Sequence, residues 1–273
     1  MSLSRTLFLL CLLLLSTQSW AGGARILALT PHACEMFFAM GADDQLVGVG
    51  DYCDYPAAAR GVPRVASHAR IHLEAALRLH PTVVVVMNRT VAGLEILEQQ
   101  GIQVLVSNPH SFEEMFADML RLGVVAGCEI QAESLVARWR QRLAQVRAQP
   151  RLNLPIFYEL WSDPLLAVGG EGFLEDMIEA AGGVNVFAQE MRESVRINVE
   201  SVVRAAPKLI IIPLEQRALA AREQFWRHYF VDKTVLFVAV DADLLHRPGP
   251  RLLDGLEQLQ QMFQRQYRLQ LHE

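Results

Sequence analysis

The sequence predicts an α/β protein of two similar lobes, each built on a mostly parallel sheet and joined by one long helix. Three observations carry that prediction. Short apolar runs alternate with amphipathic stretches along most of the chain. The stretch 129–148 holds an unbroken helical stripe. One segment of the first half recurs, without a gap, in the second half.

The elements follow in order. Arg5 is the only charge before the apolar run Leu7 to Leu15, and Ser19-Trp20-Ala21 offers small residues at −3 and −1. That pattern predicts a secretory leader over residues 1–21, cleaved after Ala21. Nine apolar residues are too few for a bilayer, which needs about 20 at helical rise. Arg25 to Leu29 reads as a short strand, and Pro31 opens a helix through Met40 that stops at Gly41. Leu46 to Val49, Val83 to Val86 and Val104 to Val106 read as further strands, the second a β-branched run suited to burial on both faces. Phe112 to Val125 has helical periodicity.

From Glu129 to Ala148, Ala132, Val136, Trp139, Leu143 and Val146 are spaced four, three, four and three, with arginines on the opposite face. Such a helix spans about 30 Å. Alternation then resumes with Ile156 to Leu160, a helix from Phe173 to Ala181, strands at Leu209 to Ile212 and Val235 to Val240, and a final helix from about Arg251 to the C-terminus. The recurrence aligns Leu73 to Val86 with Val199 to Ile212. Glu74 matches Glu200, Arg78 matches Arg204 and Pro81 matches Pro207. The expected boundaries are therefore a leader over 1–21, a first lobe over 24–128, a connecting helix over 129–149 and a second lobe over 152–270.

Loss of the leader would leave 252 of the 273 residues and move the formal net charge from −5 to −6 with Arg5 gone. An acidic chain without a basic stripe argues against nucleic acid as a partner. Cys34, Cys53 and Cys128 remain after the leader. An odd number allows one pair at most, Cys34 with Cys53 among the options, or three buried thiols. Their spacing fits no metal motif, and no metal site is expected. Nucleophile elbows, zinc-binding helices and phosphate loops are missing from the sequence, so no enzyme and no catalytic cofactor is expected. Gly169-Gly-Glu-Gly172 precedes a helix and could hold an anion, but it reads more simply as a loop turning into a helix.

Several segments carry a resemblance together: Arg25 to Glu35, Val47 to Pro56, Leu73-Glu74 with Pro81, Trp161-Ser-Asp-Pro164, Ala181 to Phe187 and Arg247-Pro-Gly-Pro-Arg251. In order and over nearly the whole mature chain, they resemble periplasmic substrate-binding proteins of ABC importers for cobalamin and iron chelates. The resemblance implies two α/β lobes on a rigid helix, a ligand in the cleft between them, and a soluble periplasmic monomer. It also implies an inner-membrane permease as partner, whose arginines would receive a glutamate from each lobe, here Glu74 and Glu200. Cobalamin or a related corrinoid is the expected small-molecule ligand, with haem or an iron siderophore as the alternative. A secreted enzyme acting on a small cofactor is a remote third reading.

Within the cleft, Tyr52 matches an aromatic contact of the cobalamin binders. His68 stands where those proteins often carry tryptophan, and it could pack on a corrin, ligate iron or cobalt, or sit in a loop. Trp161 follows the first strand of the second lobe, where an exposed indole is costly unless covered. Asp241 and Leu244 follow the last strand and are candidates by position. His72 and His110 are expected to be solvated. Arg70 and Arg196 are the evident cations for an anionic ligand, too few to favour a siderophore.

Overall fold

The computed structural model describes residues 23–67, 69–213, 216–230 and 234–270. The expected leader and His68 lie outside the described residues.

The first lobe begins with β1 (Ile26–Ala28), buried at every position. Thr30 caps α1 (Pro31–Met40) by accepting from the Ala33 amide at 3.4 Å, proline takes the first turn, and Gly41 closes the helix at φ 73°. β2 (Leu46–Gly50), β3 (Arg64–Ala66), β4 (Val83–Val86) and β5 (Gln103–Val106) complete an all-parallel sheet of order β3-β2-β1-β4-β5. The helices α1, α2 (Leu73–Arg78) and α3 (Leu94–Gln99) lie on crossovers between these strands, and α4 (Phe112–Ala126) follows β5 out of the sheet.

The long helix α5 (Glu129–Arg147) then leads out of this lobe, and all five residues of its predicted stripe are buried. Gly123 lets α4 and α5 approach closely: a Cβ there would come within 2.5 Å of Ala132 Cβ.

The second lobe is a mixed sheet of order β11-β10-β6-β7-β9, with β8 paired to β6. β6 (Leu154–Ser162) lies parallel to β8 (Gly183–Asn185) and β10 (Leu209–Ile212), and β10 lies parallel to β11 (Leu236–Ala239). β7 (Leu165–Val168) folds back antiparallel on β6, and β9 (Ser194–Arg196) runs antiparallel to β7. The helices are α6 (Phe173–Ala180), α7 (Val199–Ala205), α8 (Gln216–Arg227), α9 (Ala242–Leu245) and α10 (Leu252–Gln270). Gly169 and Gly170 lie under the backbone of residues 188–192, where a Cβ on either would come within 2.0 Å of a carbonyl oxygen. Close packing accounts for these glycines.

The lobes share one core. A continuous buried cluster runs from Ile26 and Phe37 through Phe112 and Trp139 to Tyr158 and Phe263. The helix α10 returns along α5, where Arg142 bonds Asp254 at 2.6 Å and Glu257 at 2.7 Å. Large apolar contact of this kind opposes free hinge motion. No helix among the described residues is long and apolar enough to cross a membrane.

Candidate functional site

In open parallel sheets the strand carboxyl ends and the loops after them form the ligand crevice, because backbone and side chains there are free of the ladder. Both sheets have a hollow at that end. The first, about 270 Å³, is walled by Leu29 and Thr30 after β1, Asp51 and Tyr52 after β2, and Val86 and Met87 at β4. The second, about 280 Å³, is walled by Leu160, Trp161 and Ser162 of β6, Ile212 of β10, Arg222 of α8 and His246 after α9.

Between the hollows the lobes are clamped by charge. Arg247 reaches Asp54 at 2.6 Å, Asp243 at 2.8 Å and Glu35 at 3.5 Å. Arg251 grips Glu35 with both ends of its fork, at 2.9 and 2.6 Å, and lies 4.1 Å over the Tyr55 ring. Glu35 is 3% exposed, so a carboxylate there is stable only with these arginine partners. Hydrogen bonding from Arg247 holds the Asp54 carboxyl below the usual range. Tyr52 is two residues from Asp54 and His246 is adjacent to Arg247, so the hollows flank this junction.

Covalent and buried polar contacts support the clamp. Cys34 and Cys53 form a disulfide with Cα atoms 6.0 Å apart, and Cys128 is free. The disulfide ties the loop bearing Tyr52, Asp54 and Tyr55 to the helix bearing Glu35. One turn away, His32 is buried with Nε2 at 2.7 Å from Ser107 Oγ and 3.1 Å from Ser107 O. The Ser107 hydroxyl donates to Asp118, so the proton shared with His32 is assigned to the imidazole. Burial outweighs the Asp118 charge and lowers the His32 pKa to about 4. On the other side, Gly249 packs against His32 closely enough that its Cβ would sit 3.3 Å from that of His32.

Tyr52 and Trp161 are 59% and 61% exposed, one at each hollow. Large aromatics so placed are unsatisfied apolar area. Trp161 Nε1 donates to Asp163 O at 2.9 Å, which orients the ring from within its own hairpin. Asp241 instead caps α9, accepting from the Asp243 amide at 2.8 Å, and Leu244 is half-buried. Neither lines a hollow; Ala242 and His246 of that turn do. Glu74 and Glu200 occupy the same place in their helices, the second residue of α2 and of α7, and both are exposed. Arg78 pairs with Glu74 along α2. His72 is exposed, as expected. His110 is exposed as well, and its Nδ1 contacts Glu193 of the second lobe. Arg70 and Arg196 are exposed and line neither hollow. Among the described residues no cluster of three or more metal-ligating side chains is found.

The sequence reading missed three residues of the second hollow: Glu159, Arg222 and His246. Glu159 had a signal, a lone charge inside the apolar run Ile156 to Leu160.

Residues 26–225 match the periplasmic binding protein family. The chain belongs to that family. Among relatives of this periplasmic binding protein, the vitamin B12-binding protein of Vibrio cholerae is 30% identical over 243 residues, covering 86% of this chain and 87% of that one. The vitamin B12-binding protein of Photorhabdus laumondii is 29% identical over 255 residues, covering 91% and 92%. The crystal structure of the periplasmic vitamin B12 binding protein BtuF of Vibrio cholerae superimposes with a TM-score of 0.76 at 27% identity, covering 92% of this chain and 99% of that one. The periplasmic heme binding protein HutB of Vibrio cholerae has a TM-score of 0.78 at 19% identity, covering 88% and 98%, a likeness of fold alone. Membership in this family assigns the chain to binding rather than catalysis.

Proposed function

We propose that this chain binds cobalamin or a related corrinoid between its lobes and delivers it to the permease of an ABC importer at the inner membrane. The observation that carries the reading is one exposed aromatic per lobe, Tyr52 and Trp161, at hollows flanking the Asp54–Arg247 junction. Each hollow alone falls below the roughly 300–1,000 Å³ of ordinary ligand sites, so a macrocycle would span both. The vitamin B12-binding relatives support the choice of ligand. In this reading residues 1–21 are removed on export. Residues 24–128 and 152–270 act as lobes on the helix 129–149, and the mature monomer works in the periplasm. His68 and the α9 turn with Asp241 and Leu244 border the bound ligand. Glu74 and Glu200 face permease arginines, to which paired carboxylates give orientation as well as attraction.

The test is titration of the mature chain with cyanocobalamin, cobinamide and haemin, followed by absorption and tryptophan fluorescence. Corrinoids should bind, and Trp161→Ala should weaken them about 30-fold, or about 2 kcal/mol. Haemin binding with no response to either corrinoid would overturn the reading. The double variant Glu74→Arg with Glu200→Arg should keep affinity within about twofold, well short of a tenfold, 1.4 kcal/mol change, while corrinoid uptake in cells is lost.

A further inference from the structure

β6 runs Ile156-Phe-Tyr-Glu-Leu160, and its Glu159 is 2% exposed. A carboxylate in that position is stable only with partners. It has two: Arg222 Nε and Trp226 Nε1 each donate to one of its oxygens at 2.5 Å. The Arg222 guanidinium is stacked 4.0 Å from the centre of Phe225 and 5.3 Å from that of Trp226, so its plane is held on α8. Only its Nε edge is used. Neither terminal nitrogen has a hydrogen-bond partner among the described residues, and Arg222 and Glu159 both line the second hollow beside Ser162.

We propose that Glu159 and Arg222 form a charge-neutral subsite that receives a primary carboxamide of the ligand and discriminates against a carboxylate. This rests on the corrinoid reading and extends it to the chemistry of the ligand rim. A bare arginine fork favours carboxylates, which it binds in pairs of parallel bonds. Here Glu159 occupies one edge of the fork and cancels its charge. A ligand carboxylate docking on the terminal nitrogens would come close to the fixed carboxylate, and like charges in a partly desolvated site repel. A carboxamide carries no such charge. Its carbonyl accepts from the free guanidinium N–H groups, and its own N–H groups can donate to the Ser162 hydroxyl or to Glu159. A corrin rim is lined with primary carboxamides, whereas haem carries two carboxylates, so the subsite sorts between these macrocycles by charge.

The experiment compares cyanocobalamin with its monocarboxylic acids, each hydrolysed at one rim carboxamide, on the mature chain and on Glu159→Gln and Arg222→Gln. The unaltered protein should bind cyanocobalamin at least about tenfold more tightly than one of the acids, a 1.4 kcal/mol preference. Glu159→Gln unmasks the guanidinium and should narrow or reverse that preference for the same acid. Arg222→Gln removes the donors but leaves the Glu159 carboxylate, so it should weaken cyanocobalamin while keeping or widening the preference for the amide. If every acid binds as the amide does, or if the preference is the same in all three proteins, the subsite does not exist. Should Glu159→Gln fail to fold by circular dichroism, Arg222→Gln and Arg222→Lys decide, since lysine keeps the charge but not the fork. If the unaltered protein binds no corrinoid, the corrinoid reading has failed separately. The subsite is then judged with haemin against haemin diamide: a diamide preference lost in Glu159→Gln supports it, and equal binding overturns it.

Discussion

The two lobes share a repeated unit and differ in how each holds its aromatic at the crevice. In both, a short helix feeds an interior strand: α2 leads to β4 and α7 to β10. The turn between them is matched too. His80 precedes Pro81 at φ 45° and Ala206 precedes Pro207 at φ 47°, the same left-handed backbone in residues that rarely adopt it. Beyond this unit the lobes diverge. In the first, Tyr52 sits on a loop tied to α1 by the Cys34–Cys53 disulfide. In the second, Trp161 stands near the end of β6, where β7 turns back antiparallel. Their outer packing differs as well: Leu27, Val84, Leu94 and Leu97 pack one face of the first sheet, and Phe157, Trp226 and Phe187 one face of the second. The repeated unit keeps the same helix-to-strand geometry in both sheets, while the crevice loop is held covalently on one side and by a hairpin on the other.

The largest expected effect comes from breaking the joint between the lobes. Arg251→Met leaves the buried Glu35 charge with only the 3.5 Å contact to Arg247, and removing one partner of such a pair costs about 3–5 kcal/mol. Urea unfolding at neutral pH measures it, and a loss under about 1 kcal/mol would mean the lobes are held by apolar packing alone.

Next is pH. His32 stays neutral in the folded state down to about 4, whereas the unfolded chain takes up a proton near 6.5. Between those values the unfolded state binds more protons, so stability should fall as pH drops from about 6.5 to about 4. The total is about 3 kcal/mol at 1.36 kcal/mol per pH unit. Urea midpoints across that range should show a steeper acid decline in the unaltered protein than in His32→Gln.

The disulfide sharpens the contrast between the two walls. Opening a loop of 19-residue separation costs about 3 kcal/mol by chain entropy, and about 2 where the reduced chain keeps structure. Cys34→Ala with Cys53→Ala should therefore lower the thermal midpoint. It should leave the fluorescence of Trp161, on the hairpin-held side, as it was; a shifted indole spectrum would show that the walls are not held independently.

The smallest effect belongs to Arg151 and Glu179, a 2.8 Å pair whose side chains are 57% and 60% exposed. Arg151→Ala should cost less than about 1 kcal/mol, and a greater loss of urea stability would contradict that assignment.

Periodicity made the architecture legible where burial is one-sided or complete. The α5 stripe and the runs of β4 and β10 declare themselves because every residue on the relevant face is apolar. β9 reads Ser-Val-Arg with its ends exposed, and it exists because β7 offers an edge, which no local pattern announces. At the crevice, Trp161 was readable as an exposed indole just after an apolar strand, whereas Tyr52 was legible only through the family resemblance. The ionic clamp was not, although Glu35, Asp54, Arg247 and Arg251 lie in the segments that carry the family resemblance. Arg251 and Glu35 are 216 residues apart, and Arg222 and Glu159 are 63 apart. Charge signals that a buried partner is needed but does not identify it.

The shared core has a consequence for the order of events during synthesis. A chain leaving the ribosome or a membrane pore N-terminus first can cover one face of its first sheet early, with Leu94 and Leu97. The other face shares a cluster with Leu252, Leu253, Leu256, Leu259 and Phe263 of the last helix. Until that helix emerges, the apolar surface around Phe37 and Trp139 lacks part of its cover, and the buried Glu35 lacks Arg251. Folding therefore completes only after nearly the whole chain is free, which makes a C-terminal truncation a defect of both lobes at once.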